Sequence, residues 1–234
     1  MKVRYLIKYT KESEIKFISH LDLMRTIQRT IRRAGLPVEF SKGFNPHMTL
    51  SIAQPLSVGV YSKGEYMDVV FVEEVNENEI VNKLNENAPR GIKFLDAKKV
   101  EKDGDKKAPQ AMAIIDGAEY KIKLKANNSE KALEEIKSLD NIEQWNIIKK
   151  SKKGEKEVNI KPLVKSIKYS IEGEFINIEA IFACGSRENL SANLFIKYLV
   201  ENTCNLDKNS FADIERIDMF ALKDKKLLPL NKYF

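Results

Sequence analysis

The stretch "VRYLIKYTKESEIKFISHLDLMRTIQRTIRRAGLP", residues 3–37, decides the fold. Its first eight residues alternate in the manner of a half-buried strand. From Ser19 the apolar positions change to helical spacing. Ser19 suits an N-cap, with Asp22 three residues on as in a capping box. Ile18 and Leu23 stand where a hydrophobic staple would. Gly35 and Pro37 supply the stop. A strand that feeds an amphipathic helix opens a β-α-β arrangement, and the residues beyond it continue the pattern.

"PVEF" (37–40) and "MTLSI" (48–52) flank a polar loop as extended pieces. "VGVYSKGEYMDVVF" (58–71) reads as strand, turn at 62–64, and strand. "NENEIVNKLNENAP" (76–89) reads as a second helix and "GIKFLDAKKV" (91–100) as a closing strand. The order is strand, helix, strand, strand, helix, strand, with an extra hairpin. A charged stretch, "EKDGDKKAPQ" (101–110), follows and reads as a linker. The order of elements then starts again with "EYKIKLKA" (119–126), a helix at 129–139, extended segments to 183, a helix at 191–203 and a last strand, "ADIERIDMFAL" (212–222). "VNIKPLVKSI" (158–167) is ambiguous because Pro162 interrupts it. The expectation is an α+β chain of two tandem ferredoxin-like (βαββαβ) domains with antiparallel sheets and hairpin insertions. Their bounds are 1–100 and 118–223, with a linker over 101–117 and an unassigned tail, 224–234.

Composition excludes several classes. The 234 residues are 43% hydrophobic, enough for packed cores. No apolar run approaches a membrane span, and the start lacks the apolar core of a signal peptide, so no membrane partner and a cytoplasmic location are expected. Two cysteines and two histidines, scattered, do not make a zinc site at motif spacing, and no metal or other cofactor is expected. The Walker and dinucleotide-binding glycine loops are missing. Residues 1–50 carry ten Lys/Arg against four acids, which accounts for the whole net charge of +6. Charge gathered in one region suits a polyanion such as RNA.

The first helix divides into two faces at about 100° per residue. Met24, Ile27, Ile31 and Ala34 share one side. Arg25, Arg29, Arg32 and Arg33 share another, a stripe suited to phosphate or to solvent alone. In the loop "FSKGFNPHMTLS" (40–51), Gly43 and Asn45-Pro46 specify a stiff turn. Lys42, Phe44, Asn45 and His47 would offer a cation, an aromatic face and polar groups to a nucleotide. His20 and His47, the only histidines, are candidate catalytic bases if they converge. Each also has a plain structural reading. The loop "CGSRENLS" (184–191) reads as a strand-to-helix connection with a weaker anion-binding alternative.

"SHLDLMR" (19–25), "RRAGLP" (32–37), "SKGFNPH" (41–47) and "VGVYSKGEYMD" (58–68) together resemble the radical-SAM-linked proteins, a bacterial family of unknown function. The resemblance is dense over residues 3–72 and looser beyond. It implies a radical-SAM protein as partner, fused or separate, and no established activity. This chain has no CxxxCxxC, so any radical chemistry would belong to the partner. The leading expectation is a non-catalytic RNA-binding or substrate-presenting accessory module, with tRNA or ribosomal RNA as the nucleic acid. The alternatives are a metal-independent endoribonuclease using His20 and His47, and a protein–protein adaptor.

Overall fold

The computed structural model describes residues 2–101, 108–151 and 154–234. The chain is α+β, with a large, mostly antiparallel sheet and few helices. It divides into two compact units, 1–116 with 218–234, and 117–217. Part of the expected linker, 102–107, lies outside the described residues.

The first unit contains β1 (Val3–Lys11), α1 (His20–Arg33), β2 (Leu50–Ile52), β3 (Tyr61–Phe71), α2 (Glu77–Asn87), β4 (Phe94–Val100) and the single turn α3 (Ala111–Ile114). The strands lie in the order β4-β1-β3-β2, all antiparallel. Ser19 caps α1 as expected, its hydroxyl accepting from the Asp22 N–H. Leu23, Ile27 and Ile31 of α1 pack with Ile80 and Leu84 of α2 on Tyr5, Ile7, Val69 and Phe71 of the sheet. The Tyr5 hydroxyl sits in this core, donating to the Val75 carbonyl and accepting from the Val75 N–H.

One expected hairpin is absent. Residues 62–64 are not a turn but part of the single strand β3. Ser62, Gly64 and Glu65 are buried, and the Gly64 N–H is taken by the Ser62 hydroxyl. The register slips between Tyr9 and Lys11 opposite this segment, so a bulge absorbs the irregularity that the turn-forming residues introduce. The stretch 111–117, read as linker, is α3 and the start of the next strand.

The second unit contains β5 (Ile115–Lys125, from Gly117), α4 (Ser129–Leu139), β6 (Asn146–Ser151), β7 (Gly154–Asn159), β8 (Val164–Glu172), β9 (Phe175–Ala183), α5 (Ala192–Asn202) and the beginning of β10 (Asp213–Lys223). β8-β9-β5 run antiparallel, with β10 next to β5. β6 and β7 form a separate two-stranded hairpin, so a hairpin insertion is present in this unit. Pro162 resolves the ambiguous segment by opening a 3-10 turn, Lys161–Leu163, between β7 and β8.

The unassigned tail is structured and belongs to the first unit. Asp224 and Lys225, both at positive φ, turn the chain from β10 into β11 (Lys226–Pro229). A 3-10 turn, Leu230–Lys232, follows, with Leu230 fully buried.

Candidate functional site

β1 and β3 alternate, so one face of each enters the core with α1 and α2. The other face of the same strands carries Arg4 and Lys8 on β1, and Tyr66, Asp68 and Val70 on β3. The segment running into β2 repeats this period with His47, Thr49 and Ser51, Ser51 lying opposite Asp68. These three rows, with Gln110, surround a surface pocket of about 240 Å³.

The pocket floor is an ion pair. Arg4 Nε lies 3.5 Å from Asp68 Oδ1. The Arg4 guanidinium also donates to the Ala108 and Pro109 carbonyls, and Asp68 Oδ2 accepts from the Ala111 N–H at 2.8 Å. Asp68 is 4% exposed, yet among the described residues Oδ1 accepts no hydrogen bond and Arg4 Nε donates none. Burial raises the Asp68 carboxyl above the ordinary aspartate range, outweighing the Ala111 N–H and Arg4, which pull it down. The native state therefore holds this proton to higher pH than the unfolded chain does. Stability from this group is complete below about pH 4 and is lost as pH rises through the native value. Urea unfolding across that window should show the wild type losing stability relative to Asp68→Asn as pH increases; a wild type that gains stability relative to the variant over the same window would contradict the assignment.

His47 is exposed and closes the "SKGFNPH" loop. Its N–H bonds the Ser41 hydroxyl, its carbonyl accepts the Ser41 N–H, and Phe40 bridges Met48 below. Gly43 takes a φ of +127°, a value that suits glycine alone. Lys42, Phe44 and Asn45 stand outside this closed base, and Phe44 is wholly exposed.

His20 is not in this pocket. It begins α1, next to the end of β1 at Lys11, where the Gly59 N–H bonds the Lys16 carbonyl. The His47 loop hangs from the other end of the sheet, where Val38 bridges Phe71 and Phe71 lies opposite Val3. The fourteen residues of α1 separate the two ends by about 21 Å. The structure does not bring the two histidines together.

The arginine stripe is divided. Arg25 pairs with Asp22 at 3.2 Å. That pairing and the Ser19 hydroxyl, the larger influence, lower the Asp22 carboxyl below its usual range. Arg33 reaches the Asn87 carbonyl at 2.8 Å, at the C-terminal end of α2. Arg29 and Arg32 are exposed and have no partner among the described residues. Among the described residues no three His, Cys, Asp or Glu side chains gather as a metal site, and no helix is long and apolar enough to cross a membrane.

Arg4, Thr49, Ser51, Asp68 and Gln110 were outside the sequence-based candidates. One signal was available: Asp68 is a charge inside the apolar run "YMDVVF", and charges within such strands require a partner.

Fold and pocket define an α+β protein with a polar site on one sheet face. Residues 4–192 match the family model described as "Uncharacterized protein conserved in bacteria (DUF2344)", and the chain belongs to that family. No curated protein matches it in sequence. Among solved structures, a chain of a Cbf5-Nop10-Gar1 complex is similar at 10% identity and a TM-score of 0.47, over 92% of this chain and 48% of that one. This chain thus spans about half the length of that relative. An unknown protein from Galdieria sulphuraria is similar at 12% identity and a TM-score of 0.27, over 92% of this chain and 98% of that one. At these scores the likenesses carry no argument about fold or partners.

Proposed function

We propose that the chain is a non-catalytic RNA-binding accessory module of two tandem ferredoxin-like units, working in the cytoplasm beside a radical-SAM protein. The order β4-β1-β3-β2, with α1 and α2 on one face, supports the fold reading for the first unit. The radical-SAM partner rests on the motif resemblance alone. The observation that carries RNA binding is the pair Arg29 and Arg32, exposed on a helix and without a partner among the described residues. Each presents a planar fork that suits phosphate. Arg25 and Arg33 are engaged within the chain and contribute less. Lys42 and Phe44, on the stiff loop, add charge and a stacking face.

The test is a titration of labelled single-stranded RNA across salt. Arg29→Ala/Arg32→Ala should weaken binding about tenfold at low salt and reduce the salt slope by about 0.7 per lost phosphate contact. An unchanged slope, or no binding by the wild type at low salt, refutes the proposal.

One observation favours the adaptor reading. Phe17 and Leu21 are 73% and 63% exposed near the start of α1, with Val58 also exposed. Retention of a radical-SAM partner after nuclease treatment separates protein docking from RNA tethering. The endoribonuclease reading required two convergent histidines and has no such support.

A further inference from the structure

The pocket beside the "SKGFNPH" loop has a chemistry of its own. Arg4 and Asp68 oppose each other at its floor, so neither an anion nor a cation meets an unbalanced charge there. Around it are an imidazole, three hydroxyls and an amide, from His47, Ser41, Thr49, Ser51 and Gln110, with apolar surface that includes Val70. This lining suits a neutral group that mixes donors, acceptors and an apolar face. The volume of about 240 Å³ lies below the range that drug-sized ligands need, which leaves room for one small ring system. Asp68 Oδ1 and Arg4 Nε face each other at 3.5 Å beneath the pocket, both closed off from solvent, so the pair is a fixed floor under whatever the pocket holds. The polar groups left to meet a ligand are those around the pocket, and the exposed edge of an unpaired nucleobase presents donors and acceptors that suit them.

We infer that this pocket receives one unpaired nucleobase of a single-stranded RNA. The inference rests on the RNA-binding reading above and adds what that reading lacks. Arg29 and Arg32 contact phosphates and read no base, whereas a base seated among His47, Thr49, Ser51 and Gln110 would be read. The GFNPH loop then forms one side of the seat, with His47 at its edge. Its closed base keeps that edge in place without a bound partner.

The experiment uses the full chain and two fluorescent decamers of equal phosphate count, one single-stranded RNA of mixed sequence and one with every base removed. The base-bearing strand should bind about tenfold more tightly, the contribution expected of one seated base. Ser51→Phe, which fills the pocket, should bring it to the level of the abasic strand and leave abasic binding unchanged. His47→Ala, on the exposed loop, should reduce the preference in the same direction. It decides the question if circular dichroism shows Ser51→Phe to be misfolded. Equal affinities for the two strands, or a preference that survives the variants, overturns the pocket assignment while the phosphate-binding proposal stands. If neither strand binds at low salt, the RNA reading fails, and free guanosine and cytidine become the probes by saturation-transfer NMR. A signal lost in the variants then supports a free-nucleoside site, and no signal overturns the pocket.

Discussion

Asp218→Ala is expected to lower the thermal midpoint by about 9 °C, the equivalent of about 3 kcal/mol in a chain of this size. Asp218 is the centre of a polar layer on the face of the first unit that the helices leave uncovered. One carboxylate oxygen accepts from Lys8 Nζ at 2.7 Å. The other accepts from the Tyr66 hydroxyl at 2.7 Å and the Met219 N–H at 2.8 Å. Asn231, from the tail, meets the Tyr66 hydroxyl and donates to Asp96 on β4. Removing the carboxylate leaves Lys8 as an uncompensated charge and Tyr66 as a donor without its main acceptor. Lys8 and Asp218 retain some exposure, 17% and 14%, which places the cost at the lower end for buried pairs.

Burial, then the Asp218 charge, push the Tyr66 hydroxyl far above its ordinary pKa, so it remains a donor at every working pH. Tyr66→Phe should therefore cost less than Asp218→Ala, about 1.5 kcal/mol for one hydrogen bond to a charged acceptor. Differential scanning calorimetry of both variants checks the order. If Asp218→Ala is as mild as Tyr66→Phe, the layer is solvated and the ion pair contributes nothing.

This layer also shows what the sequence could and could not reveal. α1 was legible because its information is local: the Ser19 cap, the apolar spacing and the Gly35 stop all fall within twenty residues. The turn at 62–64 was misleading for the same reason. Ser, Lys and Gly favour a turn in isolation, but here they lie opposite a bulge in a strand whose neighbours are buried. The tail, "KDKKLLPLNKYF", has no strong periodicity, and its place follows from the burial of Leu230 and from Asn231 meeting Tyr66 and Asp96, both more than a hundred positions away.

The candidate site divides along the same line. Ser41, His47 and the positive-φ Gly43 belong to one short loop, whose turn chemistry could be read directly. Arg4 and Asp68 are sixty-four residues apart in sequence, and only the antiparallel register of β1 and β3 makes them neighbours. The motif resemblance places His20 and His47 in two segments of one short stretch, 19–47, but α1 carries the chain from one end of the sheet to the other between them. Closeness along the sequence was not closeness in space.

Trp145→Ala is expected to cost about 4 kcal/mol, the largest single loss among these predictions. Trp145 is the only tryptophan and is 2% exposed. Its ring stacks on Tyr198 at 5.3 Å and meets Phe195 at 6.2 Å, which in turn packs on Phe182 of β9. The indole N–H donates to the Leu139 carbonyl at the end of α4, satisfying a group that helices leave open. Its backbone anchors the β6–β7 hairpin, accepting the Ile160 N–H and donating to the Asn159 side chain. One side chain thus joins α4, α5 and the base of the inserted hairpin within the second unit. Truncation to alanine removes the ring contacts and leaves a cavity where those elements meet. Trp145→Phe separates the contributions, since it keeps most of the ring burial and loses the indole N–H, so its cost should be nearer 1–2 kcal/mol. Urea unfolding followed by circular dichroism measures both variants, and Trp145 fluorescence reports the wild-type transition of this unit directly. A loss below about 1 kcal/mol for Trp145→Ala would mean that the site collapses around the missing ring and that the aromatic cluster is not what holds the second unit together.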